Sequence, residues 1–173
     1  MRNTKHDLDI FFKNRYSPRD FIATDISDED LEAIIEAAAT APSCFNVQPW
    51  RFYTADKEKF LGILSEGNIS WCDKLERFVL IACKSTFDAR GDKPEKPNDW
   101  AEFDCGCAWG FMQMEANKRG VSLHAMAGYD KQKAKEVFGL GSFEPIAVIA
   151  FGKAQKADEF TPREPLGNVF FRL

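Results

Sequence analysis

The most constraining feature of the chain is a long segment, residues 99–119, that predicts a helix with little exposed charge. Gly120 directly after it is a typical C-terminal cap. Small or apolar residues occur around much of its circumference, among them Phe103, Cys105, Gly106, Cys107, Ala108, Gly110, Met114 and Ala116. A helix of this kind must be buried, either in the protein core or at a subunit interface. The chain therefore folds around this helix or pairs through it.

The rest of the chain alternates between helical and strand patterns. Further helices are predicted at residues 7–13, 28–40, 57–64 and 131–138, and strands at residues 51–55, 78–83, 121–127 and 145–152. The charged, Pro-containing stretch 87–98 predicts a loop. This order indicates an α/β (α+β) sandwich, with a central mixed or antiparallel sheet flanked by helices on both faces. With 173 residues, 45% of them hydrophobic, a single domain over residues 1–173 is expected.

Charge and hydropathy limit the partners of the chain. The formal net charge is −4 without a basic stripe, which argues against nucleic acid, because its binding requires Lys and Arg to neutralise phosphates. The apolar runs are too short to span a bilayer, and the polar start leads into no signal region. Five cysteines without disulfide-framework spacing predict free thiols. We therefore expect a cytoplasmic protein that binds neither a membrane nor nucleic acid.

The cysteines invite two chemical interpretations. Cys105 and Cys107 could ligate a metal, but residues two apart on a helix point to different faces. His6 and His124 are the only histidines, so no zinc-type set is formed and no metal is expected. Cys44 could be redox-active, or it could be a small packing residue.

Two segments suggest a phosphorylated cofactor. Residues 41–50 form a polar loop bounded by prolines, between a predicted helix and an aromatic strand, and they look suited to grip a polar ligand. Upstream, two guanidinium groups and a hydroxyl lie within five residues, at Arg15, Ser17 and Arg19. Such donors anchor a phosphate through charge-assisted hydrogen bonds.

The order of these segments resembles the nitroreductase family of flavin mononucleotide (FMN) enzymes. The resemblance runs nearly end to end, and it rests on Arg15-x-Ser17-x-Arg19, Pro42-Ser43-x-x-Asn46-x-Gln48-Pro49-Trp50, Gly128-Tyr129-Asp130 and the strand at 144–152. It implies a nitroreductase-like fold, an intertwined homodimer around helix 99–119, FMN as cofactor and NAD(P)H as electron donor. The charged tail, residues 153–173, either frays or docks on a neighbour, and the apolar residues at its end favour docking.

The resemblance also implies roles for individual residues. The FMN phosphate would be held by Arg15, Ser17, Arg19 and Arg163, and Tyr16 between them would also belong to the cofactor site. The loop that reaches the flavin from the partner chain would be Pro42, Ser43, Cys44 and Asn46. Asn68 would bind the pyrimidine edge of the ring, and the backbone N–H groups of Ala127 and Gly128 would lie near flavin N5.

Some of these positions depart from the family or allow another interpretation. Tyr16 stands where the family often has a basic residue, and Cys44 and Phe45 replace smaller polar residues. Local structure alone could explain several positions, with Asn68 and Gly128 as turn residues and Arg19 and Arg163 as surface cations.

No protein side chain is expected to be catalytic, because the flavin carries the chemistry. The resemblance implies an enzyme that passes electrons from NAD(P)H through flavin N5 to a nitroaromatic, a quinone or a similar small-molecule acceptor by a ping-pong mechanism. Two alternatives remain open. One is a flavin-dependent dehydrogenase or reductive dehalogenase acting on a specific metabolite, and the other is a non-catalytic flavin-binding module.

Overall fold

The computed structural model describes residues 4–88, 91–155 and 161–172. The helices are α1 (Ile10–Asn14), α2 (Asp28–Ala39), α3 (Lys57–Leu61), α4 (Glu66–Cys72), α5 (Ala101–Lys118) and α6 (Lys131–Phe138). The strands are β1 (Phe21–Ile22), β2 (Trp50–Tyr53), β3 (Arg77–Cys83), β4 (Thr86–Phe87), β5 (Lys96–Pro97), β6 (Ser122–Met126) and β7 (Glu144–Ala154). Short 3₁₀ turns occur at Cys44–Asn46 and Leu166–Asn168.

The central sheet is antiparallel and has five strands. β7 is the longest, and it pairs with β3 along one side and with β6 along the other, while its last two residues pair with β1. β2 pairs with β3 and forms the opposite edge, while β4 and β5 make a separate two-stranded hairpin. The end of β6 and the start of β2 both lie towards the start of β7, because Met126 is opposite Val148 and Trp50 reaches Glu144 through Cys83.

Helices cover both faces of the sheet, and the alternation of side chains in β3 shows this directly. Val79, Ile81 and Cys83 belong to a core cluster that includes residues of α2 and α5. Phe78, Leu80 and Ala82 belong to the opposite cluster, which includes residues of α3, α4 and α6. A strand buried on both faces reads as a continuous apolar run, as the sequence did at 78–83. The predicted α/β sandwich is confirmed.

Helix α5 is buried on one face only. Ala108, Met112 and Ala116 are buried in the core that α5 shares with α2. On other faces, Phe103 is 69% exposed and Phe111 is 41% exposed, and the helical glycines have no atom near the position of an added Cβ. Gly120 follows the helix with φ +70°, as expected of a C-terminal cap.

The structure differs from the sequence expectations where elements are short. The helix expected at 57–64 ends at Leu61, and a separate helix, α4, follows it. The first helix begins at Ile10 rather than at residue 7, because the Asp9 carboxylate accepts the Phe11 N–H as an N-cap. Within the expected loop 87–98 lies strand β5, and β1 was not expected either. Two-residue strands carry too little periodicity to be recognised.

The described part of the tail, residues 161–172, is exposed throughout. Its apolar side chains include Leu166, Val169, Phe170 and Phe171. The expected tail also includes residues 156–160 and Leu173, which lie outside the described residues. Within the described parts of the chain, no helix combines the length and apolar character needed to cross a membrane.

Candidate functional site

The side chain of His124 links strand β6 to residues Arg15–Arg19, which we call the arginine segment. The Nδ1–H of His124 donates to the carbonyl oxygen of Pro18 at 2.7 Å, and Pro18 is buried between Ser17 and Arg19. A carbonyl oxygen only accepts, so Nδ1 carries the proton. The His124 ring lies 4.7 Å from the ring of Trp71 in α4. Strand β6, helix α4 and the arginine segment are thereby fixed against one another.

The environment of His124 keeps its imidazole neutral near pH 7. Burial lowers its pKa from the ordinary 6.5, the hydrogen bond to Pro18 opposes this in part, and the charge of Arg19 adds to the lowering. With the proton on Nδ1, the Nε2 atom is an acceptor. Near pH 7, His124 therefore adds no positive charge next to the arginines of the segment.

The arginine segment presents a donor set to solvent. The Arg15 Nη1 atom lies 3.4 Å from Ser17 Oγ, so the structure brings these two residues together. Arg15 and Tyr16 are half-buried, whereas Ser17 and Arg19 are exposed. This arrangement leaves the hydroxyl and a guanidinium group open to an anion.

Asn68 and Gly128 meet next to the end of β6. Asn68 Nδ2 donates to the carbonyl oxygen of Gly128 at 2.9 Å, and the same oxygen accepts the Ser65 N–H at 2.9 Å. A Cβ on residue 128 would lie 2.9 Å from both Asn68 Nδ2 and Ser65 Oγ. Any larger residue at position 128 would therefore force these neighbouring groups to shift. The expectation that Asn68 and Gly128 belong to one site is thus consistent with their geometry.

The backbone after β6 offers two donors. Among the described residues, the N–H groups of Ala127 and Gly128 donate to no protein acceptor, whereas the carbonyl oxygens of both residues accept hydrogen bonds. Both residues are exposed, so these N–H groups can reach a ligand. Unpaired, exposed backbone donors at a fixed position can stabilise negative charge on a bound group.

The polar loop is held by side chains from elsewhere. The Cys44 N–H donates to Asp104 Oδ2 at 3.0 Å, and Ser43 Oγ accepts the Gln48 N–H at 3.0 Å. Asp104 lies on α5 and is 4% exposed. Pro42 and Asn46 are exposed, while Ser43 and Cys44 are half-buried. The loop is therefore a rigid, solvent-facing structure.

Within one protomer the loop and the Asn68 cluster lie at opposite edges of the sheet. The loop leads into β2, and Gly128 follows β6, with β3 and β7 between them. Three inter-strand spacings amount to about 14 Å. The structure thus does not bring Pro42–Asn46 together with Asn68 and Gly128 in a single chain. Arg163 is exposed and forms no ion pair with any described residue.

Sequence reasoning missed three residues of this region. Ser65 supports Gly128, Trp71 contacts His124, and Asp104 holds the loop through Cys44. None of the three carried a distinctive signal, because Asp104 lies in the first turn of α5, where an acidic residue is common whatever it contacts. No group of three metal-ligating side chains occurs in residues 4–88, 91–155 and 161–172, and all five cysteines are free thiols.

The architecture matches a class of flavin oxidoreductases. A crystal structure of an oxidoreductase containing FMN superposes with a TM-score of 0.92, is 30% identical in sequence, and the match covers 98% of this chain and 93% of that chain. Two relatives are each 26% identical. "Putative NAD(P)H nitroreductase YdgI" of Bacillus subtilis (strain 168) matches over 95% of this chain and 96% of its own length. The CLA biosynthesis enone reductase of Lactiplantibacillus plantarum matches over 90% and 88%.

Comparison of the sequence with models of protein families identifies the family. A model of the Nitroreductase family matches residues 12–153. The chain belongs to the Nitroreductase family, and the resemblance inferred from its sequence is confirmed.

Proposed function

We propose that this protein binds FMN and passes electrons from NAD(P)H to a nitroaromatic, a quinone or a similar small acceptor. The observation that carries the proposal is the pairing of two features near β6. Ser17 and Arg19 expose hydrogen-bond donors suited to a phosphate, and the bond from His124 to Pro18 holds their segment against β6. Directly after β6, the backbone N–H groups of Ala127 and Gly128 have no described acceptor. The FMN-containing structure and the NAD(P)H relative support the same cofactors.

The donor chemistry of the arginine segment fits the FMN phosphate. A phosphate accepts several hydrogen bonds, and guanidinium groups bind it through charge-assisted, directional contacts. Arg15, Ser17 and Arg19 would supply these contacts, with Tyr16 beside them in place of a cation. The bond between His124 and Pro18 fixes the backbone of the segment, so the donors are positioned before the cofactor binds.

The cluster at Gly128 fits the flavin ring. The bond from Asn68 to the Gly128 carbonyl fixes the backbone, and the side-chain amide oxygen of Asn68 stays available to a ring N–H. The N–H of Ala127 would hold the hydrogen bond near N5. When bound, FMN supplies the redox chemistry, accepting a hydride from NAD(P)H and returning electrons to the acceptor in a ping-pong sequence. No protein side chain is assigned a catalytic role.

We propose further that the protein is a homodimer with shared sites. The face of α5 that carries Phe103 and Phe111 is exposed, and Gly106 and Gly110 on the same helix allow close backbone approach. Pro42, Ser43, Cys44 and Asn46 would then reach the flavin of the partner, because they lie too far from Gly128 in their own chain. Arg163 would likewise reach the phosphate from the tail.

The tail has a matching surface on a second copy of the chain. A groove of about 640 Å³ between α2 and β2 is lined by Leu31, Ile35 and Phe52. Its other lining residues include Glu29, Glu32 and Glu36. The tail offers Val169, Phe170, Phe171 and Arg172, which complement the groove in apolar character and in charge. We assign the groove to the tail of the partner.

Residues 1–173 are proposed to form one FMN-binding domain, and five unpaired thiols favour a reducing compartment such as the cytoplasm. A second function is favoured by one comparison. The enone reductase relative supports a reductase for a specific metabolite, and the Iodotyrosine deiodinase relatives of Haliscomenobacter hydrossis and Hydra vulgaris support the reductive dehalogenase alternative. A substrate panel of nitroaromatics, quinones, enones and halogenated phenols separates these functions by kcat/KM. Reduction of none of them, with flavin bound, would indicate a non-catalytic flavin-binding module.

The cofactor assignment is tested on the purified protein. Heat denaturation should release a yellow chromophore that co-elutes with FMN, at about one per chain. If the purified protein lacks flavin, binding of about one added FMN per chain would support the proposal equally. Failure to bind FMN after reconstitution would rule the proposal out.

A further inference from the structure

A second pocket lies away from the arginine segment. Its volume is about 620 Å³, and it lies between the polar loop, the start of β2 and the β4–β5 hairpin. Phe45, Phe87 and Phe143 supply flat apolar surface. The rings of Phe45 and Phe87 meet edge to face at 6.1 Å, yet Phe45 is 82% exposed. Binding of a planar ligand against an exposed aromatic wall is favourable, because it removes apolar surface from water.

The backbone of the loop presents these groups in an unusual conformation. Phe45, Asn46 and Gln48 have φ values of +50°, +55° and +49°. Non-glycine residues rarely adopt the left-handed region, and a bulky aromatic residue does so least readily. Strained backbone of this kind persists where surrounding contacts hold it, and it clusters at ligand sites. The Ser43–Gln48 and Cys44–Asp104 hydrogen bonds hold it here.

The pocket is positive in a chain whose net charge is −4. Four cations line it, Arg51, Lys84, Lys93 and Lys96, against the single carboxylate of Asp88. Lys84 is compensated, because its Nζ contacts both Asp88 and Glu95. No described carboxylate pairs with the other three cations.

The uncompensated cations are placed against the aromatic walls. Lys96 Nζ lies 5.4 Å from the centre of the Phe87 ring, and the guanidinium carbon of Arg51 lies 5.1 Å from that of Phe143. Arg51 is further fixed by hydrogen bonds to the carbonyl oxygens of Gln48 and Trp50, at 3.2 and 2.6 Å. An aromatic ring and a cation side by side recognise a flat ring that carries a negative charge.

We propose that this pocket binds a planar aromatic anion, with the ring against Phe45 and Phe87 and the acidic group facing Lys93 and Lys96. Assigning the pocket to NAD(P)H would rest on the function proposed above, whereas binding of another acidic aromatic compound would not, and either ligand would lie beside Asn46 in the loop assigned to the partner's flavin. Two sources carry this chemistry, an acidic aromatic compound and the phosphorylated nucleoside end of NAD(P)H.

The test uses the oxidised, FMN-loaded protein without NAD(P)H, so that it requires no turnover. Benzenesulfonate and its neutral isostere benzenesulfonamide are titrated by ligand-observed NMR. The anion should bind at least about fivefold more tightly, since each partly exposed charge contact contributes modestly. A double variant, Lys93→Gln with Lys96→Gln, should bring the two affinities to within about twofold. Equal binding of both ligands by the unmodified protein would overturn the proposal.

A matched control removes the same charge elsewhere. Lys59→Gln with Lys133→Gln, both exposed and neither among the residues that line the pocket, should keep the preference for the anion. Loss of the preference in this control, or its retention in the Lys93 and Lys96 variant, would also overturn the site. Adenosine 2′,5′-bisphosphate identifies the source. Displacement of benzenesulfonate assigns the pocket to the nucleotide donor, and no displacement assigns it to a separate acidic aromatic compound.

Discussion

Asn68 Nδ2 donates a 2.9 Å hydrogen bond to the carbonyl oxygen of Gly128, a residue 60 positions later in the chain. This bond joins helix α4 to the backbone that follows β6. The N–H groups of Ala127 and Gly128 donate to no described acceptor. The contact therefore connects the two halves of the proposed flavin ring site.

Replacing Gly128 with alanine tests this contact. The added Cβ would lie 2.9 Å from Asn68 Nδ2 and from Ser65 Oγ, so one of these side chains must move. We expect FMN affinity to fall at least about tenfold, the equivalent of about 1.4 kcal/mol. Gly67→Ala is the matched control, because a Cβ there meets no atom within 4 Å and alanine favours a helix. Equal FMN binding by both variants, measured by flavin fluorescence, would disprove the role of Gly128.

The phosphate assignment predicts loss of FMN in Arg15→Ala and Arg163→Ala. Each charge-assisted hydrogen bond contributes about 1.5–3 kcal/mol, so the dissociation constant should rise at least about tenfold. The fold should persist, since neither residue is buried. Lys59→Ala controls for the loss of one positive charge. Wild-type FMN retention in both arginine variants would remove the assignment, and retention in Arg163→Ala alone would remove only the tail contact.

A proline at position 127 tests the donor near N5. Ala127→Pro removes the backbone N–H, and no described acceptor loses a bond. Loss of one preorganised donor costs roughly 10²–10³ in rate by analogy with oxyanion holes. FMN reduction should slow while FMN binding changes little. Stopped-flow reduction by NAD(P)H measures this, after circular dichroism has established the fold. Reduction of the folded, flavin-loaded variant at the unmodified rate would contradict the assignment.

The dimer proposal predicts that a charge on the open face of α5 disrupts assembly. In Gly110→Glu the added Cβ would meet no atom within 4 Å beyond the adjacent residues and the helix's own backbone, so the monomer itself should tolerate the side chain. Buried unpaired at an interface, the charge would cost several kcal/mol. Sedimentation should show monomers or aggregates for this variant and dimers for the control Gln132→Glu. A flavin-loaded monomer of the unmodified protein would exclude shared sites.

His124 should make stability depend on pH. Its pKa in the folded protein is lowered by burial, so below pH 6.5 the unfolded chain binds the proton more readily than the folded one. Stability should therefore fall as the pH decreases through 6.5 towards the folded pKa. Urea unfolding at pH 7.5 and 5.5 should show a smaller difference for His124→Asn than for the unmodified protein. The control His6→Asn should keep the stability difference of the unmodified protein between the two pH values. An equal stability difference for both variants would contradict this role of His124.

Much of the architecture could be predicted from the sequence because its elements are long and periodic. The apolar run at 78–83 indicated a doubly covered strand, and Ser27 before three acidic residues marked the start of α2. Helix α4 was not predicted, because Gly67, Asn68 and Ser70 within it have low helix propensity. Pairing of short strands such as β1 with β7 depends on contacts more than 100 residues apart, which no local pattern contains.

The candidate site shows the same division. The donor types at Arg15 and Ser17 are local and were readable, and so was the unusual loop at Pro42. The contacts that position them are not local. His124 reaches Pro18 from 106 residues away, and Asp104 reaches Cys44 from 60. Such contacts arise only once the sheet has assembled, so the sequence could suggest the chemistry but not its support.

The central claim is that this protein is an FMN enzyme that NAD(P)H reduces. The most direct measurement is the absorbance spectrum of the purified, FMN-loaded protein, followed anaerobically after addition of NADH and, separately, of NADPH. The account predicts that the flavin band bleaches with at least one of the two donors and returns when a nitroaromatic or quinone is added. A flavin band that stays unchanged with both donors would contradict the account.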